Sequence, residues 1–76
     1  MPEPLPILME NSIHIAWDYL ERTGELGEPE EASRFLLDAV ERMVRQGERR
    51  QLFLSNKAID AYRRFTMERS LLSAAS

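Results

Sequence analysis

The chain has one histidine, His14, with Glu10, Asp18 and Glu21 at helical spacing around it. On a helix all four project from one side, and an imidazole and a carboxylate four residues apart can share a divalent metal. A metal site needs ligands that converge and outer partners that orient them, and a single helix supplies neither. The spacing is therefore read as a solvated polar face with i, i+4 hydrogen bonds. The same imidazole among acids is a candidate pH switch. No cofactor or metal is expected.

Nucleophilic catalysis finds no partners. The chain has no cysteine, which removes disulfides, thiolate nucleophiles and Cys-ligated zinc together. Ser12, Ser33, Ser55 and Ser70 share the one histidine as the only candidate base of that type. The glycines Gly24, Gly27 and Gly47 stand at expected helix ends, and Gly24-Glu25-Leu26-Gly27 lacks the Lys-Ser/Thr of a phosphate loop. A chain of 76 residues also has little room for a catalytic pocket. The expectation is a protein that is not an enzyme.

The basic residues suggest different chemistry. Residues 1–41 carry ten acids and two bases, whereas residues 42–76 carry eight bases and three acids. Such asymmetry can mark a nucleic-acid-binding half. Arg45, Arg49, Arg50, Lys57, Arg63 and Arg64 are the candidate phosphate contacts, with Arg49 and Arg50 at a turn ahead of a helix. The overall balance, a formal charge of −3, argues against a broad phosphate footprint. Pairing of the acidic half with the basic half, within or between chains, is the simpler reading. Nine of the ten basic residues are Arg, which points to a GC-rich bacterial gene.

These residues must be positioned by helices. Pro2, Pro4 and Pro6 predict an extended arm over 1–8, from which Leu5, Ile7 and Leu8 could pack as a strap. A first helix is expected over 10–23, capped by Asn11 or Ser12, with Ile13, Ala16, Trp17 and Leu20 on its buried face and Gly24 closing it. A second is expected over 29–46, with Pro29 at its first position, Glu30 and Glu31 at the positive end of the dipole, and Gly47 beyond its end. The run Leu52-Phe53-Leu54 is not assigned by period alone. Ser55 or Asn56 then caps a third helix over 55–68, with Ala58, Ile59, Tyr62 and Phe65 inward and Asp60–Arg64 as an i, i+4 pair. The tail 70–76 is expected to fray.

Two stretches of this layout resemble known shapes. Arg49 to Phe65, RRQLFLSNKAIDAYRRF, resembles the strand-then-helix opening of a ribbon-helix-helix repressor. That family continues into a second helix, for which the remaining residues are poorly suited. The order of the second and third helices resembles a helix-turn-helix, yet Gly47 to Leu54 is longer than that motif's turn. Neither shape is adopted.

The width of the apolar faces raises the question of assembly. At about 100° per residue, the apolar side chains of the second helix spread from Phe35 to Leu37, about 200° away. A helix packed on one side needs only about 100°. Three short helices were expected to be too few to bury two such stripes, so the chain is expected to form a homodimer. Trp17, Leu20, Phe35, Leu36, Val40, Met43 and Val44 are the expected core or dimer interface. The aromatics are read as core, with the hydroxyls of Tyr19 and Tyr62 at its edge, and Met43 and Met67 as flexible fillers. Leu5 to Met9 is too short and too broken by Pro6 to span a membrane, which leaves the cytoplasm as the default compartment. The sequence thus predicts an all-α, three-helix, homodimeric interaction protein, an adaptor or regulator. Another protein as partner and nucleic acid through the basic half are the other options.

Overall fold

The computed structural model describes residues 4–75. They form three helices and no strand: α1 (Leu5–Arg22), α2 (Pro29–Arg45) and α3 (Gln51–Ala75). Each helix packs against the other two. The short connections make α1 and α2, and α2 and α3, antiparallel neighbours. The body measures 50 × 25 × 18 Å.

Pro4 and Pro6 start a helix where an extended arm was expected. Pro4 is the N-cap of α1, and its carbonyl accepts from Leu8 N–H at 3.0 Å. Pro6 stands in the first turn, where N–H groups have no intrahelical acceptor and a missing donor costs nothing. The expected extended arm is thus helical from Leu5 onward, and its residues 1–3 lie outside the described residues. Asn11 and Ser12 are inside α1 and do not cap it. Ser12 is fully buried and its Oγ donates to Leu8 O at 2.8 Å. Leu8, Ser12, Ala16 and Leu20 form the buried row of α1, with small side chains in the middle that admit a neighbouring helix closely.

Both connections carry a left-handed glycine as their second residue. Gly24 has φ +74° and Gly47 φ +101°, values at which a Cβ would strain the backbone. In each case the residue after the glycine bonds back across the turn. Glu25 N–H donates to Leu20 O at 2.9 Å, and Glu48 N–H donates to Met43 O at 3.1 Å. Glu28 caps α2, its carboxylate accepting from Glu31 N–H at 3.0 Å, with Pro29 next.

The third helix differs most from the sequence reading. It begins at Gln51, so Leu52-Phe53-Leu54 is helical, and it reaches Ala75, so residues 70–75 continue the helix in place of a frayed tail. Ser55 is not a cap. It is fully buried, with Oγ donating to Leu52 O at 3.0 Å. The start is held from Glu48, whose carboxylate accepts from the N–H groups of Arg49 (3.1 Å) and Arg50 (3.3 Å). Leu and Ala favour helix beyond Arg69. At 25 residues α3 is about 37 Å long, against about 26 Å for α2.

This extra length changes the burial. Leu20, Leu36, Val40 and Leu54 are completely buried within one chain. Phe35 stacks on Phe65 at 4.7 Å between centroids and meets Tyr62 edge-on at 5.7 Å. Val44 is buried too, and Trp17, Phe35 and Met43 pack partly buried against this core. Every buried side-chain nitrogen and oxygen among the described residues has a hydrogen-bond partner.

Candidate interaction surfaces

The metal-like set on α1 does not close into a site. His14 Nε2 lies 3.8 Å from Glu10 Oε1, and both side chains are exposed. Asp18 turns instead to Arg22, at 3.0 Å. Among the described residues no three His, Asp or Glu side chains converge as a metal would require.

The largest polar cluster joins the α1–α2 connection to α3. Arg63 grips Glu25 with two parallel bonds, Nε to Oε1 at 2.8 Å and a terminal nitrogen to Oε2 at 2.9 Å. The same guanidinium donates to the Tyr19 hydroxyl at 2.9 Å. Thr23 Oγ1 donates to Glu25 Oε2 at 2.6 Å. The Arg63 bonds, helped by Thr23, hold the Glu25 carboxyl at a pKa of about 2, and the pKa of Arg63 is raised in turn by Glu25 and Tyr19. Beside this clamp, Gly27 N–H donates to the Tyr62 hydroxyl at 2.9 Å. A Cβ at Gly27 would stand 3.1 Å from that oxygen, so the missing side chain lets the connection approach α3. Both tyrosine hydroxyls thus sit at the edge of the core.

The basic residues named from the sequence are mostly occupied. Arg45 pairs with Glu41 and Arg63 with Glu25. Arg50 pairs with Glu48 at 2.8 Å, which keeps that carboxyl at a pKa of about 2 and raises the pKa of Arg50. Arg49 donates to the carbonyls of Val44 (2.7 Å) and Glu48 (2.8 Å), closing the end of α2. Lys57 stands 5.6 Å from the centre of the Phe53 ring, on which Arg50 also lies at 4.5 Å. Further acid–base pairs are Asp38–Arg42 and Glu31–Arg69. The acidic and basic halves therefore meet largely inside one chain. Asp60 and Arg64, expected to pair along α3, are exposed and make no ion pair among the described residues.

Apolar surface remains outside the core at Leu5 and Ile7 at the start of α1 and in two further places. On the outer side of α1 and α2, Pro6, Met9, Ile13 and Leu37 line an open groove of about 410 Å³, with Glu10 and His14 at its rim. Along α3, Leu52, Met67, Leu71 and Leu72 are each about two-thirds or more exposed. Sequence reasoning named Leu37 only as the far edge of a wide stripe and took Met67 for a core filler. Among the described residues no helix is long and apolar enough to cross a membrane. No protein-family model, curated protein or solved structure matches this chain.

Proposed function

We propose that this chain is a non-enzymatic helical interaction protein, an adaptor or regulator that acts as a homodimer in the cytoplasm. The observation that carries this reading is the apolar surface left over once the core has closed. Leu5, Ile7, Leu37, Leu52, Met67, Leu71 and Leu72 are 40% to 73% exposed, while Leu8, Leu20, Leu36, Val40 and Leu54 close the core. Exposed apolar side chains in such number favour a protein partner. The polar side chains meanwhile bond to one another in pairs and clamps that rigidify the body. The test is the solution mass by light scattering over a dilution series. A mass of twice the 8.9 kDa chain supports the reading, and 8.9 kDa at every concentration refutes the homodimer.

A second reading, binding of nucleic acid through the basic half, draws on Arg49, Lys57 and Arg64, which have no carboxylate partner among the described residues. It predicts salt-dependent binding of DNA or RNA that Arg49→Ala with Lys57→Ala weakens. Unchanged amide spectra on adding either nucleic acid at low salt would remove it.

A further inference from the structure

The outward face of α3 carries Phe53, Lys57, Asp60, Arg64, Met67 and Leu71, spaced alternately by four and three residues. That spacing makes one continuous stripe along a helix and is the seam geometry of paired helices. They lie opposite the buried row Leu54, Ala58, Ile59 and Tyr62, with Lys57 at the edge beside Ala39, Arg42 and Met43 of α2, and all but the half-buried Phe53 are exposed. The stripe is also self-complementary when read backwards. In an antiparallel pair centred level with Tyr62, Phe53 stands opposite Leu71, Lys57 opposite Met67, and Asp60 opposite Arg64.

We propose that α3 pairs antiparallel with α3 of a second copy of this chain through this stripe. Two observations choose that occupant. The first is charge. Among the described residues Asp60 and Arg64 stay open, whereas Glu30–Arg34, Asp38–Arg42 and Glu41–Arg45, of the same acid-first order, all close. Antiparallel pairing sets Asp60 of each copy against Arg64 of the other, so two ion pairs form about the two-fold axis. The second is length. The start of α2 meets α3 at the Glu31–Arg69 ion pair, and α3 runs on past it to Ala75. In the paired arrangement this overhang lies along the partner's helix at the level of its first turn, Phe53 included, so Leu71 is covered by the ring of the second copy. The seam from Phe53 to Leu71 is about 27 Å long. Central ion pairs flanked by apolar contacts fix the direction, because a parallel arrangement sets Asp60 against Asp60 and Arg64 against Arg64. They favour this register, because sliding by a heptad breaks the Asp60–Arg64 pairs and shortens the seam.

This inference rests on the homodimer reading above and specifies its surface. The test uses two full-length variants with different fluorophores, Asp60→Arg and Arg64→Asp. Each alone faces like against like and is expected to dimerise at least ten-fold more weakly than the natural chain. Mixed in equal amounts they are expected to form heterodimers, seen as energy transfer, and the double variant Asp60→Arg/Arg64→Asp is expected to dimerise again. Circular dichroism confirms that all three fold, since the substitutions are on the exposed face. The chain has no cysteine, so the register can be read from disulfides: a Lys57→Cys and Met67→Cys mixture should cross-link, and neither variant alone. If the natural chain is a dimer that both charge variants leave intact, or if Lys57→Cys cross-links to itself, the α3 pairing is overturned while the homodimer stands. If the natural chain is monomeric up to millimolar concentration, both are overturned.

Discussion

Two neighbouring leucines on α2 test how the structure resolves the wide apolar stripe. Leu36 is fully buried and Leu37 is 46% exposed, although both belong to the stripe read from the sequence. Truncating a buried leucine to alanine removes its transfer free energy and leaves a cavity, a loss of about 2–5 kcal/mol. Leu36 sits beside Val40 in a core with no exposed edge at that point, so about 3 kcal/mol is expected. For a domain of this size each kcal/mol lowers Tm by about 4–8 °C, so Leu36→Ala should melt about 12–24 °C early. Leu37 lines the open groove with Met9 and Ile13, where truncation leaves no closed cavity. Leu37→Ala should change stability by less than about 0.5 kcal/mol. Thermal denaturation followed by circular dichroism at low concentration reads both. Equal losses at the two positions would refute the placement of α2 against α1 and α3.

Other perturbations address the clamp, the turns and the core. Tyr62→Phe removes the acceptor of the Gly27 N–H bond and should cost about 1 kcal/mol, a Tm loss of about 4–8 °C in the same melt. The Glu25 carboxyl has a folded pKa of about 2 against an ordinary 4.5, so its stabilisation is complete above 4.5 and is lost as pH falls from there towards 2. Urea titrations across that window should fall less steeply with acid in Glu25→Gln than in the natural chain, and identical slopes would count against the clamp. Gly24→Ala, at φ +74°, should cost about 1–2 kcal/mol in the same urea experiment, since an L side chain strains there. Val40→Asp places a carboxylate in a fully buried position and should unfold the chain, seen as collapsed amide dispersion.

The legible part of the fold was whatever local chemistry fixes. The bounds of α2 follow from Pro29, the first-turn glutamates and Gly47, and the end of α1 from Gly24. Helix ends that depend on packing were not legible. Pro4 and Pro6 read as an arm because proline breaks helices in general, but the first turn tolerates them, and Leu8 reaches the core from there. Ser12 and Ser55 read as caps because serine favours that role. Both are buried inside helices, where their small size matters more and a backbone carbonyl satisfies the hydroxyl. Starting α3 at Gln51 adds a turn that carries Leu54 into the core, and this is how one chain covers most of two wide stripes. Neighbours in sequence such as Arg63 and Arg64 point about 100° apart on α3, so Arg63 reaches Glu25 while Arg64 stays exposed. The self-complementary stripe was present in the residue order, but without the true length of α3 its last position lay in a supposed tail.

The most direct test of the account is the amide spectrum of the natural chain recorded over a concentration series. Self-association through α3 predicts concentration-dependent shifts at Lys57, Asp60, Arg64, Met67 and Leu71, with Leu20, Leu36 and Val40 unmoved. Shifts centred instead on Met9, Ile13 and Leu37, or a spectrum that does not change with concentration, would contradict it.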